Sequence, residues 1–443
     1  MSENSALLLI GEIYIDFTLP TTGTSSKLRL GGIIHAARGL WAINASYAVA
    51  AICPRYLVDQ ARHFLQELQC SNFIWLGEVK GAPNVMVIRD PLEIGDQNYE
   101  DLLLEEKYCE INDGEANLEN YSSCLIFPGK YNIGDLKNIL ADKAQISIDI
   151  AYDIPDIDIL SPFSGQISAL ITSTSSRFFL EKASDDISAL LNCLRHLSPD
   201  VVLLKENRGG SRVFDLRTDQ GDEVPALLGQ TTNSVGVGDV YSAVFTYLIS
   251  TDVFGAAWKA ARAATCYAQT TYPDDFRRDV QRSLALTVEQ MRDLGGTNLS
   301  WHVRRLFPIY FAAPDFSYID RTYIEEVINA LNYHNFLLRR PIQENGELNP
   351  NSAEHHMHKI YAEDLNILSQ CAVVFALPLG RDPGTLIEMG VAIANKKPLV
   401  TYDPLQENAN TMVIVGSTVY SSNLDICLNG LFDVLSKLQA GNP

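Results

Sequence analysis

Basic residues are scarce in this chain. Its 34 Lys and Arg face 54 Asp and Glu, leaving a net charge of −20 over 443 residues. Nucleic-acid surfaces need a basic stripe, so no nucleic-acid partner is expected. Long apolar runs are also missing. Ala6–Ile10 is apolar but short and has no basic flank, so it does not read as a signal peptide. No stretch reaches the length that crosses a bilayer, and a cytoplasmic protein without a membrane role is expected. The eight cysteines (53, 70, 109, 124, 193, 266, 371 and 427) form no CxxC pair. That spacing argues against a disulfide framework or a cysteine zinc site and fits reduced, buried thiols. His355, His356 and His358 lack a zinc-ligand template and a nearby cysteine, so no metal site is expected there. Repeats and low-complexity tracts are absent from the sequence.

What is present suits an ordinary globular enzyme: 47% hydrophobic and 20% charged residues, in a chain long enough for two or three domains. Short apolar runs at Leu7–Ile10, Tyr47–Ile52, Val85–Ile88, Cys124–Phe127, Ile146–Ile150, Ala169–Ile171 and Val201–Leu204 read as strands. Amphipathic stretches such as Val58–Leu68 and Ile187–Leu197 separate several of them, a βαβ pattern that predicts a mainly parallel sheet. From Asp239 to about Tyr272 the pattern becomes helical and rich in small residues. A boundary falls around Leu284–Trp301, where Gly295-Gly296-Thr297-Asn298 gives a turn or linker signal. A second series begins at Pro308–Ala312. It continues through a helix at Tyr318–His334, a loop at Arg339–Ala353, a helix near His358–Ser369 and strands at Ala372–Leu377 and Pro398–Tyr402. These segments suffice for a five-stranded doubly wound domain. The expected division is therefore residues 1–288, a linker at 289–301, and residues 302–443.

Two motifs carry chemistry. In Gly380–Gly390 (GRDPGTLIEMG), Asp382 and Glu388 flank a Gly-Thr turn that opens a helix after a buried strand. Open α/β sheets bind ligands at that strand end. One carboxylate there can attack an anomeric carbon while the other, protonated, assists the leaving group. The alternative is an acid that complements a helix N-terminus. The second motif, Asn233–Asp239 (NSVGVGD), runs into the apolar helix Val240–Leu248. Amides at such a helix start can hold an anion, and an Asp there can take a proton from a hydroxyl attacking a phosphoryl group. A plain turn with an N-terminal acid is again the alternative.

Across about Ala6–Asp275 the chain resembles the ribokinase, or carbohydrate kinase, family. The resemblance rests on the opening strand with Gly11 and Asp16, on Gly31-Gly32 before a small-residue helix, and on Gly236-Val237-Gly238-Asp239. It implies a three-layer α/β/α domain with Asp239 as catalytic base and Gly236, Val237 and Gly238 as anion hole. Asp16 and Gly32 would contact a sugar-like substrate, and ATP with Mg2+ would be the donor. The chain departs from the family pattern at Asn233-Ser234, where Asp-Thr is usual. It departs also at Ala36, where Asn is common, and at Leu204-Lys205-Glu206 in place of Thr-Leu-Gly.

From about Arg305 to Leu438 the chain resembles the nucleoside 2-deoxyribosyltransferase family and related N-glycosidases. The matching segments are Ile309–Pro314, Ile360–Asp364, Arg381–Gly390 and Lys397–Val400, in that order. The resemblance implies a smaller flavodoxin-like doubly wound parallel-sheet domain that needs no cofactor. Glu388 would be the nucleophile at C1′, Asp382 the partner of the departing base, and Tyr310 the group orienting Glu388. Asn410 and Met412 match residues that family members lend to a neighbouring subunit, which implies a homo-oligomer. Cys371-Ala372 stand where the family commonly has Asp, and Ala312–Ser317 is not a Ser- and Gly-rich phosphate loop; a charged Asp315 there would repel phosphate.

The two resemblances lead to one expectation, a nucleoside- or nucleotide-processing enzyme. Its second domain would transfer or hydrolyse a glycosyl group, and its first would be a sugar or nucleoside kinase or a ligand sensor. The alternatives are an NAD or nucleotide glycohydrolase effector of toxin or defence type, regulated by the first domain, and a non-catalytic sensor or scaffold. The expected partners are small molecules: a nucleoside, a nucleotide or NAD.

Overall fold

The computed structural model describes residues 6–21, 25–81, 83–97, 99–102, 106–112, 118–152, 154, 156–182, 186–348 and 352–441. Its contacts divide into two compact units. The first comprises Met1–Leu92, Gln97–Leu227 and Thr231–Gly296; the second comprises Thr297–Pro443 with Glu93–Asp96 and Leu228–Gln230.

The first unit is built on a ten-stranded sheet. From one edge its strands run Gln220–Val224, Ser211–Asp215, Val201–Lys205, Ile167–Ser173, Gln145–Asp149, Ser123–Ile126, Leu7–Glu12, Tyr47–Ile52, Phe73–Lys80 and Tyr108–Ile111. The interior strands pair in parallel and are apolar almost throughout, because both faces of such a sheet are covered. Leu8, Leu9 and Ile10 are fully buried. The edge strands Gln220–Val224 and Tyr108–Ile111, and Ser211–Asp215 next to the first of them, pair antiparallel. A separate four-stranded sheet contains Lys27–Leu30, Ile15–Thr18, Val85–Ile88 and Tyr99–Asp101. The expected helical stretch from Asp239 to Tyr272 is two helices, Val237–Leu248 and Val253–Gln269. The helix Ile33–Ala42 packs closely on the first of these: a Cβ on its Gly39 would lie 3.0 Å from Val240.

The second unit holds a five-stranded, all-parallel sheet in the order Leu338–Arg339, Ile309–Ala312, Val373–Ala376, Leu399–Tyr402 and Val419–Ser421. The three central strands are buried throughout. The segment read as a loop at Arg339–Ala353 instead carries the end of a short strand and the helix Pro341–Asn345, with Pro341 at its first turn. Pro there fits, because its missing N–H is one that a helix start leaves unbonded. Residues 349–351 of that loop lie outside the described residues. The helix read from Tyr318 begins at Thr322, where Asp320 accepts hydrogen bonds from the Thr322 amide (2.9 Å) and hydroxyl (2.7 Å). The helix read from His358 begins at Glu354, so His355, His356 and His358 lie exposed along its first turns. Arg304 is fully buried in this unit. It donates to the carbonyls of Leu299 and His334, both at 3.1 Å, and lies 4.9 Å from the centroid of the Phe432 ring. These contacts tie the segment before the first strand to the unit's core.

Candidate active site

The motif Gly380–Gly390 follows the central strand Val373–Ala376. Gly380 (φ 60°) and Arg381 (φ 55°) take left-handed backbone and turn the chain sharply into the helix Pro383–Ala394. Asp382 is that helix's N-cap: one carboxylate oxygen accepts both the Thr385 amide (2.7 Å) and the Thr385 hydroxyl (2.8 Å). Glu388 lies later on the helix, where the Tyr310 hydroxyl donates to its Oε1 at 2.6 Å. Tyr310 is itself fully buried on the neighbouring strand Ile309–Ala312.

Burial pushes the Glu388 carboxyl up to about 7; the Tyr310 hydrogen bond opposes the shift, and the charges of Asp364 and Asp382 add to it. Burial and the facing carboxylate push the Tyr310 hydroxyl far upward, so it stays a donor. Asp364, on the helix Glu354–Gln370, is the residue that sequence reasoning quoted within a motif without assigning a role. Its carboxyl is raised by burial and accepts from the Asn345 side-chain amide at 2.7 Å. The carboxyl groups of Asp364 and Asp382 thus both act electrostatically on Glu388.

Asn410 caps the exposed helix Thr411–Gly416 by accepting the Met412 amide at 2.8 Å, and Met412 is 75% exposed. Both stand clear of the Glu388 hydrogen bonds within this one chain. Cys371 is buried in the same hydrophobic cluster as Tyr310 and Met389, and burial pushes its thiol up to about 11. The expectation that Asp315 would repel phosphate needs correction. Asp315 is buried between Arg321 (2.7 Å) and Arg340 (2.7 Å), which cancel its charge.

In the first unit, Gly236 (φ 82°) precedes the helix Val237–Leu248. A Cβ at Gly236 would lie 2.2 Å from the His35 ring, so only glycine fits. Asp239, in the helix's first turn, accepts from the Tyr152 hydroxyl at 2.9 Å. Burial pushes its carboxyl up to about 7, with Asp149 adding to the shift and Lys205 and Tyr152 opposing it. Lys205 donates to Asp149 (2.8 Å) and Ser242 (3.0 Å) beside Gly238. Gly32 (φ 62°) has the Glu12 carbonyl 2.2 Å from where a Cβ would stand.

Asp16 is 1% exposed, and its Oδ2 lies 2.8 Å from His35 Nε2 and 3.4 Å from Arg29. His35 Nδ1 faces Arg38 (3.1 Å), which can only donate, so Nδ1 is the acceptor and Nε2 carries the proton given to Asp16. Burial holds the imidazole down to about 4 despite Asp16, so it is neutral. Neither His35 nor Tyr152 was singled out from sequence: His35 sits within an apolar helix, and Tyr152 follows a strand without periodic signal.

Residues 309–427 match the model of the nucleoside 2-deoxyribosyltransferase family. The N-terminal region matches solved ribokinases in structure. Ribokinase from Cryptococcus neoformans var. grubii serotype A, in complex with ADP, aligns with a TM-score of 0.50 at 11% identity, covering 63% of this chain and 99% of that one. Ribokinase from Giardia lamblia aligns at 0.47 and 15% identity, over 63% of this chain and 99% of that one. The Arabidopsis thaliana enzyme, complexed with ribose and ATP, aligns at 0.45 and 15%, over 64% and 99%. No curated protein matches the chain. The first unit therefore has the ribokinase fold, and the second a flavodoxin-like fold within which residues 309–427 match the nucleoside 2-deoxyribosyltransferase model.

Proposed function

We propose that this protein processes nucleosides or nucleotides and that its C-terminal domain cleaves an N-glycosidic bond with Glu388 as nucleophile. The observation that carries this is the 2.6 Å hydrogen bond from Tyr310 to a half-buried Glu388 whose carboxyl stands near 7. A carboxylate so placed attacks C1′ as the bond to the base breaks, and its charge stabilises the oxocarbenium-like transition state. The Tyr310 hydroxyl leaves one carboxylate oxygen aimed while occupying the other. Asp382 and Asp364 are the groups able to hold or protonate the departing base. Water or a second base then takes the sugar from Glu388. Exposed Met412, Ile414 and Val415 on one short helix favour a homo-oligomer in which Asn410 and Met412 complete a neighbour's site.

The cancelled charge of Asp315 favours a second reading for the same site, in which the substrate carries phosphate, as a nucleotide or NAD does. In the first unit the Asp239 carboxylate and the helix-start amides of Gly236–Gly238 fit a kinase that takes ATP. Among the described residues no group of three or more His, Cys, Asp or Glu side chains could hold a metal.

The test is chromatography of the protein incubated with deoxynucleosides, ribonucleosides, their monophosphates and NAD, beside Glu388→Ala. Base release that requires Glu388 supports the reading, and the consumed substrate decides between nucleoside and phosphate-bearing classes. Release that persists in Glu388→Ala would sink it.

A further inference from the structure

The turn that presents Asp382 is held from outside. Gly380 and Arg381 both take left-handed backbone, a conformation that a side chain such as that of Arg381 resists. Three polar groups of this turn end on the loop that follows the neighbouring strand Leu399–Tyr402. The Pro378 carbonyl accepts the Asn408 side-chain amide at 2.6 Å, and the Gly380 amide donates to Glu407 Oε2 at 3.0 Å. Arg381 Nε donates to the Glu407 carbonyl at 3.0 Å.

Glu407 and Asn408 are placed in turn by one side chain. Asp403 is 2% exposed; its Oδ1 accepts the Glu407 amide at 3.2 Å and its Oδ2 the Asn408 amide at 2.8 Å. Tyr420, on the next strand Val419–Ser421, donates its hydroxyl to Oδ2 at 2.8 Å. The Asp403 amide also donates to the Ser421 carbonyl at 2.9 Å, so the carboxylate is anchored at the strand end. Contacts thus run from the sheet through Asp403 to Glu407 and Asn408, and from these to the turn that ends one residue before Asp382. Glu388 does not share this dependence, since it lies inside a helix and is met by Tyr310. Asp382 caps the helix start: Thr385 fixes one of its carboxylate oxygens, but the turn fixes its backbone.

We propose that Asp403 is a positioning residue for base departure: through Glu407 and Asn408 it fixes the turn before Asp382, and so the distance at which Asp382 meets the leaving base. This inference rests on the reading of Glu388 as nucleophile and Asp382 as partner of the base. Proton delivery needs a donor within hydrogen-bond reach, and a displacement of about 1 Å can cost about a hundredfold in rate. Its signature is dependence on the leaving group. An uncharged base takes a proton as the bond to C1′ breaks. A base already cationic, such as 7-methylguanine in its nucleoside or the nicotinamide of NAD, needs none, because the bond's electron pair neutralises its charge. Loss of Asp403 should slow the first class and spare the second, whereas general damage to the site slows both.

The experiment uses the full chain, Glu388→Ala, Asp382→Asn, Asp403→Asn, Asn408→Ala and the double variant Asp382→Asn/Asp403→Asn, with thermal melts to confirm folding. Chromatography gives kcat/KM for release of guanine, thymine and 7-methylguanine from nucleosides and their monophosphates, and of nicotinamide from NAD. Asp403→Asn and Asn408→Ala should lose at least about tenfold on the uncharged bases and less than about threefold on the cationic ones. With any substrate the double variant should be no slower than Asp382→Asn, because both changes act through one group. If Asp403→Asn does not fold, Asn408→Ala and Asp382→Asn/Asn408→Ala carry the same comparison. Equal loss on both classes, no loss on either, or losses that add in the double variant would overturn the inference and leave the nucleophile reading intact. So would release from the cationic substrates alone, which gives Asp382 no base to protonate. Absence of Glu388-dependent release from every substrate would overturn the nucleophile reading, and the inference with it.

Discussion

Replacing Glu388 by Gln should abolish base release and at the same time raise thermal stability at alkaline pH. In the folded protein burial holds this carboxyl near 7, against an ordinary value of 4.5. The unfolded chain therefore loses the proton first as pH rises. Below about 4.5 both states are protonated and Glu388 costs nothing. Stability then falls through the window from about 4.5 to about 7, and the full penalty is present above it. A difference of about 2.5 units corresponds to about 3 kcal/mol, an upper figure because the side chain is not wholly shielded from water. Glutamine has the same shape and no charge to desolvate. At roughly 2–4 °C per kcal/mol, Glu388→Gln should melt several degrees above the parent at pH 8, with the gap closing by pH 5. Tyr310→Phe gives the companion result. Its hydroxyl favours the charged form of Glu388, so its loss should move the acid limb of kcat/KM upward by about one to two units. Calorimetric melts across pH 4.5–8.5, with the pH–rate profile, check both. A Glu388→Gln protein less stable than the parent at pH 8, or an acid limb unmoved in Tyr310→Phe, would refute the assignment of a strained, charge-poised nucleophile.

Asp364→Asn removes one repulsive charge from Glu388 while its side-chain oxygen can still accept from Asn345, so the acid limb should shift to lower pH; a pH–rate profile shows whether it does. Asp382→Ala removes the cap on Thr385 and should cost about 1 kcal/mol. Asp382→Ser can restore that stability by capping yet should not restore base release, and a denaturant titration beside the activity assay separates the two roles. Arg304→Ala strands the buried Leu299 and His334 carbonyls and should destabilise the second unit by at least about 2 kcal/mol, seen as a lower urea midpoint for that transition.

What could be read in the sequence follows from how locally each feature is determined. Interior strands such as Tyr47–Ile52 announce themselves because a sheet covered on both faces requires unbroken apolar runs. The motif Gly380–Gly390 was legible because its turn, its cap and its acid all lie within eleven residues of sequence. Edge strands were not. Lys27–Leu30, Tyr99–Asp101 and Gln220–Val224 carry charged or polar residues on exposed positions, which is what an unprotected edge favours and what an apolar search overlooks. Asp364 was visible only as part of a helix pattern. Its relation to Glu388 exists because the helix Glu354–Gln370 leads into the strand beside Tyr310, a fact of topology.

The same distinction explains why the two candidate sites differ in how far sequence carries them. At Glu388, Tyr310 and Asp382 are the residues the resemblance names, and Asp364 joins them through the fold. At Asp239 the motif is present, but its consequence depends on Tyr152, 87 positions away, and on His35 at Asp16, neither of which any motif contains. A matching glycine turn shows only that an anion can be held. What such a turn would do depends on side chains that the fold brings to it, of which Tyr152 on Asp239 Oδ1 is one. Fold likeness at 11% identity therefore shows the fold of the first unit and not its activity.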